Sequence, residues 1–307
     1  MGIELGQLRA LRELGDRGSI AAAAGALHVT ASSVSQQLTA LQRRFPVPLT
    51  YKDGRRTALT DAGHALAAAA IEVEVAFERA KTAVDKFQRE PRGTVSVAAF
   101  HSAALAFFGP LLTAFTAPMY PRVSCADFDV AQEDFPALTQ DHDLVLAHRL
   151  AGSPPWPSSV SVKNLLTEPL DLVLRSDHPL TARHVIDVAD LHAETWVAVH
   201  EGYPLETAIR HIAGIGETEP NIRHRINDFA TAATIVRADN CIALMPRYTT
   251  VINDFPGLAL RPLSHAAPRR HIDCLSRPET LERTNAQRIT TALKDIANSL
   301  TTANTRS

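Results

Sequence analysis

The chain has 307 residues, three cysteines and a formal net charge of −2 at pH 7. No apolar run reaches the roughly 20 residues of a membrane-spanning helix, the richest being the alanine-heavy stretch 65–70, and no low-complexity tract interrupts the sequence. The near-neutral total hides a local imbalance, because residues 1–60 hold eight Lys or Arg against four Asp or Glu.

That basic segment reads as two short helices joined by a tight turn. The first runs from Ser19, a candidate N-cap, to Leu27, and its run Ala21–Ala24 lets another helix approach closely. His28-Val29 breaks the pattern, and Thr30 or Ser32 can cap the next helix. Val34, Leu38 and Leu41 then recur at spacings of four and three, which makes one face apolar. The opposite face carries Ser32, Ser33, Ser35, Gln36, Thr39 and Arg43. These groups suit a DNA major groove: Gln can bond an adenine edge in two places, Ser and Thr can meet base or phosphate, and Arg can reach the backbone. With Thr30 at the helix start, they form the expected reading face. Asp53-Gly54 between extended residues signals a hairpin, and Lys52, Arg55 and Arg56 around its tip match the cations a winged helix-turn-helix sets beside phosphates.

Between Asp61 and Arg89 there is no proline, and Leu66, Ala70, Val73, Phe77, Ala80, Val84 and Phe87 recur at alternating intervals of four and three. Such a heptad stripe predicts a long helix that pairs with its copy in another subunit, with Leu66, Val73, Phe77, Val84 and Phe87 as the dimerisation set. Glu72, Glu74, Glu78, Arg79, Lys81, Asp85 and Lys86 would stay wet. The alternative is an amphipathic helix packed on its own domain. Pairing would hold two reading helices over the half-sites of a dyad-symmetric operator.

Pro91-Arg92-Gly93 ends the helix, and the remaining two hundred or so residues suit a large α/β domain or two lobes. Strand-like runs are expected at 94–100, 122–128, 144–148, 170–175, 195–200, 222–226, 242–246 and 271–276. Intervening helical stretches argue for parallel sheets, and Asn240 is read as left-handed turn chemistry. A ligand site is then expected outside the carboxyl ends of the strands. There the backbone N–H groups of His101-Ser102-Ala103 and the Ser102 hydroxyl can hold an anion or a carbonyl, and His200-Glu201-Gly202-Tyr203 occupies the corresponding turn further on.

The chain resembles the LysR-type transcriptional regulators. The likeness lies in Leu8 to Leu14, Gly18-Ser19-Ile20 with Ala23-Ala24 and Leu27, Val29-Thr30, Ser33 to Leu38 with Leu41, Val47-Pro48-Leu49, Gly54-Arg55-Arg56 and Leu59 to Gly63. It implies an α/β protein with an N-terminal all-α winged helix-turn-helix (1–60), a linker and dimerisation helix (61–90) and a two-lobed, periplasmic-binding-protein-like effector domain (91–307). Lobe one would hold about 94–150 and 271–300 and lobe two about 166–264, with crossovers near 150–166 and 264–270. The resemblance brings Phe128, Val130, His148, Asp228 and Phe229 to the effector beside His101, Ser102, Ala103, His200, Glu201, Gly202 and Tyr203. It further implies a dimer of dimers on double-stranded DNA, a small-molecule effector such as an organic or amino acid, and contact with RNA polymerase.

Other classes find less in the sequence. Cys125, Cys241 and Cys274 lie at expected strands without short spacing, which suggests three buried thiols in a reducing cytoplasm, with a redox-responsive regulator as the alternative. No metal, cofactor or catalytic residue is expected: there is no His-Glu-x-x-His, Cys-x-x-Cys, Gly-x-Ser-x-Gly or phosphate-binding glycine loop. An exported solute-binding protein would leave residues 1–90 without a purpose.

Overall fold

The computed structural model describes residues 2–54, 56–85, 93–117, 120–215, 219–250, 255–264 and 267–304. By its contacts the chain forms two units, residues 1–89 with 277–284, and residues 90–276 with 285–307.

In the first unit, α1 (Leu5–Arg17), α2 (Ile20–Ala26) and α3 (Ala31–Gln42) bury Leu8, Leu11, Leu14, Ala23, Ala24, Val34, Leu38 and Leu41 in one core. Both expected caps form, Ser19 Oγ accepting from Ala22 N and Thr30 Oγ1 from Ser33 N. The turn between α2 and α3 places His28 at φ 54°, a left-handed conformation uncommon outside glycine. β1 (Thr50–Asp53) and β2 (Arg56–Leu59) form the antiparallel wing. Its last pair is Asp53–Arg56, with Gly54 at φ 59° following β1. Arg55 lies outside the described residues.

α4 (Asp61–Asp85) changes character along its length. Leu66, Ala67 and Ala70 pack on the core of the unit, whereas Val73, Phe77 and Val84 are 46, 44 and 61% exposed. The heptad stripe is thus divided between an internal and an open part; Phe87 lies outside the described residues. Two carboxylates expected on the wet face are instead buried. Glu74 lies 3.4 Å from Arg12, and Glu78 lies 2.9 Å from Lys81 and 4.0 Å from Arg9. Periodicity marks apolar positions but does not reveal which carboxylate will meet a cation from another element.

The second unit carries a mixed sheet. β3 (Thr94–Ala99), β4 (Arg122–Asp127) and β5 (Leu144–Leu150) are parallel, with α5 (His101–Ala114) and α6 (Phe135–Leu138) between them. β11 (Arg269–Ser276) runs antiparallel to both β5 and β6 (Ser161–Arg175). The all-parallel expectation fails there, because β6 and β11 are the returning strands. β6 also corrects the expected loop at 150–166. It pairs β11 as far as Pro169, and beyond that β9 (Ala243–Pro246) and β10 (Leu258–Arg261), both antiparallel. One strand therefore serves both lobes. Its odd and even residues face different layers: Leu170, Leu172 and Leu174 join Trp196, Ile209 and Ile212, while Val173 joins Ala233, Val236 and Met245. β7 (Thr195–Ala198) and β8 (Asn221–Arg225) pair in parallel beside α7 (Pro204–Ile215) and α8 (Phe229–Asp239), and α9 (Thr284–Asn304) closes the chain. Asn240 ends α8 at φ 48°, the left-handed turn its residue type favours.

Candidate DNA-reading face and effector cleft

On α3 the burial of Val34, Leu38 and Leu41 turns Thr30, Ser32, Gln36, Thr39 and Arg43 outward, with Ser33 and Ser35 half-buried. Several hydroxyl protons are committed to the helix itself. Ser35 Oγ donates to Ala31 O at 3.0 Å and Thr39 Oγ1 to Ser35 O at 2.9 Å, which leaves their oxygens as acceptors. The Gln36 amide has no partner among the described residues. On the wing, Arg56 is exposed and Lys52 Nζ meets Thr57 Oγ1 at 3.0 Å. Gln42 supports the approach to the wing: its amide donates to Val47 O at 2.9 Å and its oxygen accepts from Leu49 N at 2.8 Å.

In the second unit a cavity of about 230 Å³ opens at the carboxyl ends of β3 and β7. Of the residues expected there it brings together His101, Ser102, His148, Tyr203, Asp228 and Phe229. The other expected contacts lie elsewhere. Ala103 is wholly buried on α5, and Phe128 stacks on His142 with ring centroids 5.1 Å apart. Val130 is half-buried away from the lining. The exposed His200 gives its backbone N–H to Asn227 Oδ1 at 3.0 Å, Glu201 reaches Arg225 at 2.9 Å, and Gly202 turns the chain at φ 86°. Of this turn only Tyr203 lines the cavity, joined by its neighbours Val199 and Leu205.

The polar centre of the cavity was not visible as a motif. Arg270, on β11, is 4% exposed; its Nε donates to Glu168 Oε1 at 2.7 Å and its Nη2 to Thr249 Oγ1 at 2.8 Å and Ser102 Oγ at 3.0 Å. Phe100 and Phe229 flank the guanidinium, 5.0 and 5.8 Å from ring centroid to Cζ. Glu168 is fully buried and also accepts from the backbone N–H groups of Tyr248 and Thr249. The one sequence signal was a glutamate between the expected crossover near 150–166 and the strand expected from Leu170.

Titration behaviour follows from these surroundings. Burial, with Arg270 nearby, lowers His148 from 6.5 to about 3, so its ring is neutral at physiological pH. Desolvation opposes ionisation of Asp228, but the hydroxyl and amide of Thr231 and the neighbouring His101 outweigh it and hold the carboxyl below its ordinary value. His101 Nε2 lies 3.3 Å from Asp228 Oδ2, and its Nδ1 3.7 Å from Asp127. Two buried oxygens at the cavity, Asp228 Oδ2 and Thr250 Oγ1, have no hydrogen-bond partner among the described residues.

Cys241 and Cys274 are buried as expected, but Cys125 is half-buried. Desolvation raises all three thiols, Cys274 to about 12, which disfavours thiolate chemistry. His224, Asp239 and Cys241 bring their donor atoms within 4.8 Å of one another, a grouping the sequence spacing did not reveal. The Asp239 carboxylate there is already held by Arg223 at 3.0 Å and His224 at 2.8 Å. No described helix is long and apolar enough to cross a membrane.

Residues 5–64 match the family model for the bacterial regulatory helix-turn-helix protein, lysR family, and residues 88–297 match the LysR substrate binding domain. Among curated proteins, the transcriptional dual regulator GltC of Bacillus subtilis is 28% identical over 80% of this chain and 82% of its own. A probable nitrogen assimilation transcriptional activator of Synechocystis is 24% identical over 84% of each. Full-length OxyR from Pseudomonas aeruginosa superposes with TM-score 0.65 at 18% identity, covering 96% of this chain and 97% of that one. CbnR in complex with its target DNA gives 0.54 at 22%, covering 96 and 99%.

Proposed function

The chain belongs to the LysR family of DNA-binding transcriptional regulators, with a helix-turn-helix domain and an effector-binding domain, and from that premise we propose that a small molecule in the 230 Å³ cavity controls how it engages a dyad-symmetric operator. The observation that carries this reading is the cavity itself, enclosed by apolar side chains around a few convergent polar groups, as small-molecule sites are. Reading would fall to the outward face of α3, Thr30, Ser32, Ser33, Ser35, Gln36, Thr39 and Arg43, with Lys52, Arg55 and Arg56 of the wing on phosphates. The open stripe Val73, Phe77 and Val84 would pair two subunits, and a dimer of dimers would present the helices that a palindrome needs. Ligand binding acts by favouring one arrangement of the assembly over another, and through it contact with RNA polymerase. The redox alternative gains nothing from thiols held in the neutral form.

Footprinting the purified protein on its own genomic DNA at fixed salt tests the proposal, and recovery of a dyad-symmetric site is the expected outcome. Gln36→Ala should then relax preference at one base pair in each half-site, at a cost of about 1–3 kcal/mol of discrimination. An unchanged preferred sequence would show that another residue reads the base.

A further inference from the structure

The chemistry of the cavity wall selects among effectors. Among the described residues that line it, Arg270 is the sole arginine or lysine, and its charge is matched by Glu168 at 2.7 Å. Glu168 is an unpromising group for a ligand to displace, because three donors besides Arg270 hold it: Tyr248 N, Thr249 N and Thr249 Oγ1. His148 adds no positive charge, its ring being neutral. Asp129 and Asp228 also line the space, so the wall leans negative. A ligand whose only polar group is a carboxylate would meet like charge with no uncommitted cation to offset it.

The uncommitted groups are informative. Asp228 Oδ2 is buried and accepts no hydrogen bond among the described residues; its one close partner is the ionic contact with His101 Nε2 at 3.3 Å, so an arriving donor would supply the hydrogen bond it lacks. The Nη1 hydrogens of Arg270 have no partner among the described residues and can bond an oxygen. The rest of the lining is largely apolar, including Phe100, Leu150, Leu170 and Phe229. The volume of about 230 Å³ exceeds the roughly 150 Å³ of a cavity that takes benzene; it fits one ring with a short arm.

We propose that the effector is a small apolar molecule bearing an ammonium or other N–H donor for Asp228 and no net negative charge, any carboxylate being carried as part of a zwitterion. This rests on the reading of the cavity as the effector site. Three probes share a phenylethyl body and differ in charge: 2-phenylethylamine, phenylalanine and 3-phenylpropionate. Their affinities for the full-length protein are to be measured by isothermal titration calorimetry. The amine or the zwitterion should bind at least tenfold more tightly than the acid. Asp228→Asn should abolish that preference while keeping the N-cap of α8, because Asn caps as well as Asp. Ala230→Trp, which fills the cavity, should remove binding of every probe. Tightest binding of 3-phenylpropionate, or a preference for the amine that survives Asp228→Asn, would overturn the charge assignment while leaving the cavity as a site. If no probe binds, or if Ala230→Trp changes nothing, the cavity reading falls and this inference falls with it.

Discussion

His148 on β5 stacks against Phe100 and Phe135, with ring centroids 4.6 and 5.4 Å apart, where an imidazolium would lose its hydration beside the Arg270 charge. Its folded pKa of about 3 lies below the ordinary 6.5, so between those values the unfolded chain binds a proton that the folded chain does not. Stability is therefore full above pH 6.5 and falls on acidification, by about 1.4 kcal/mol per pH unit. Melting curves of wild type and His148→Gln between pH 7 and 5 should differ in that slope, and equal slopes would show that other groups dominate. Gly63 illustrates steric exclusion: a Cβ there would lie 2.0 Å from Leu49 O, the carbonyl that also accepts from Thr60 N. Gly63→Ala should lower urea stability by about 1–3 kcal/mol through overpacking. The sequence supplied Gly63 only as part of a resemblance; the approaching carbonyl that makes glycine necessary comes from the wing.

At the scale of elements, the helix-turn-helix was legible because its determinants are local: two hydroxyl caps, an alanine face, and apolar spacing of four and three. α4 was half legible. Its stripe predicted helix and partner, yet Leu66 and Ala70 serve their own domain, while Phe77 remains exposed under Arg9 and Lys81 at 5.6 and 5.8 Å from the ring centroid. Burying such a ring in a subunit interface would contribute about 1.5–3 kcal/mol. Phe77→Asp should accordingly give monomers by analytical ultracentrifugation with little change in monomer stability, and an unaltered dimer would assign pairing elsewhere. β6 was the least legible element. Only 170–175 was expected as strand and its first half fell in the expected crossover near 150–166, while the buried Glu168 is made tolerable in a strand by the facing Arg270 and by donors from Tyr248 and Thr249.

On the scale of the whole molecule, the chain passes between its two units at residues 89/90, 276/277 and 284/285. The short segment 277–284 belongs to the DNA-binding unit although β11 and most of α9 on either side do not. Its docking is ionic: Glu279 bonds Arg12 at 2.9 Å, and Arg277 bonds Glu13 at 2.6 Å. Burial alone would lower the Arg12 pKa, but Glu279 and Glu74 outweigh it and raise it. Arg12→Met would leave Glu279 buried without its cation and Glu74 with Arg9 alone, at 3.6 Å, a loss of about 3–5 kcal/mol in urea unfolding of this unit. A loss below 1 kcal/mol would mean that apolar contacts, rather than this network, fasten the segment.

Sequence alone determined the modules and their order, the caps and apolar face of the reading helix, and the helix start at 101–102 beside a cleft, whereas 228–229 came from the family resemblance. The former follow from short-range periodicity and from backbone groups at helix starts. Tertiary structure decided the polar centre of the cavity, where Ser102, Glu168, Thr249 and Arg270 come together across up to 168 positions of chain. It also decided which carboxylates are buried and which turn residues lie away from the cavity. Charge compensation and desolvation depend on partners distant in sequence, and no local pattern encodes them.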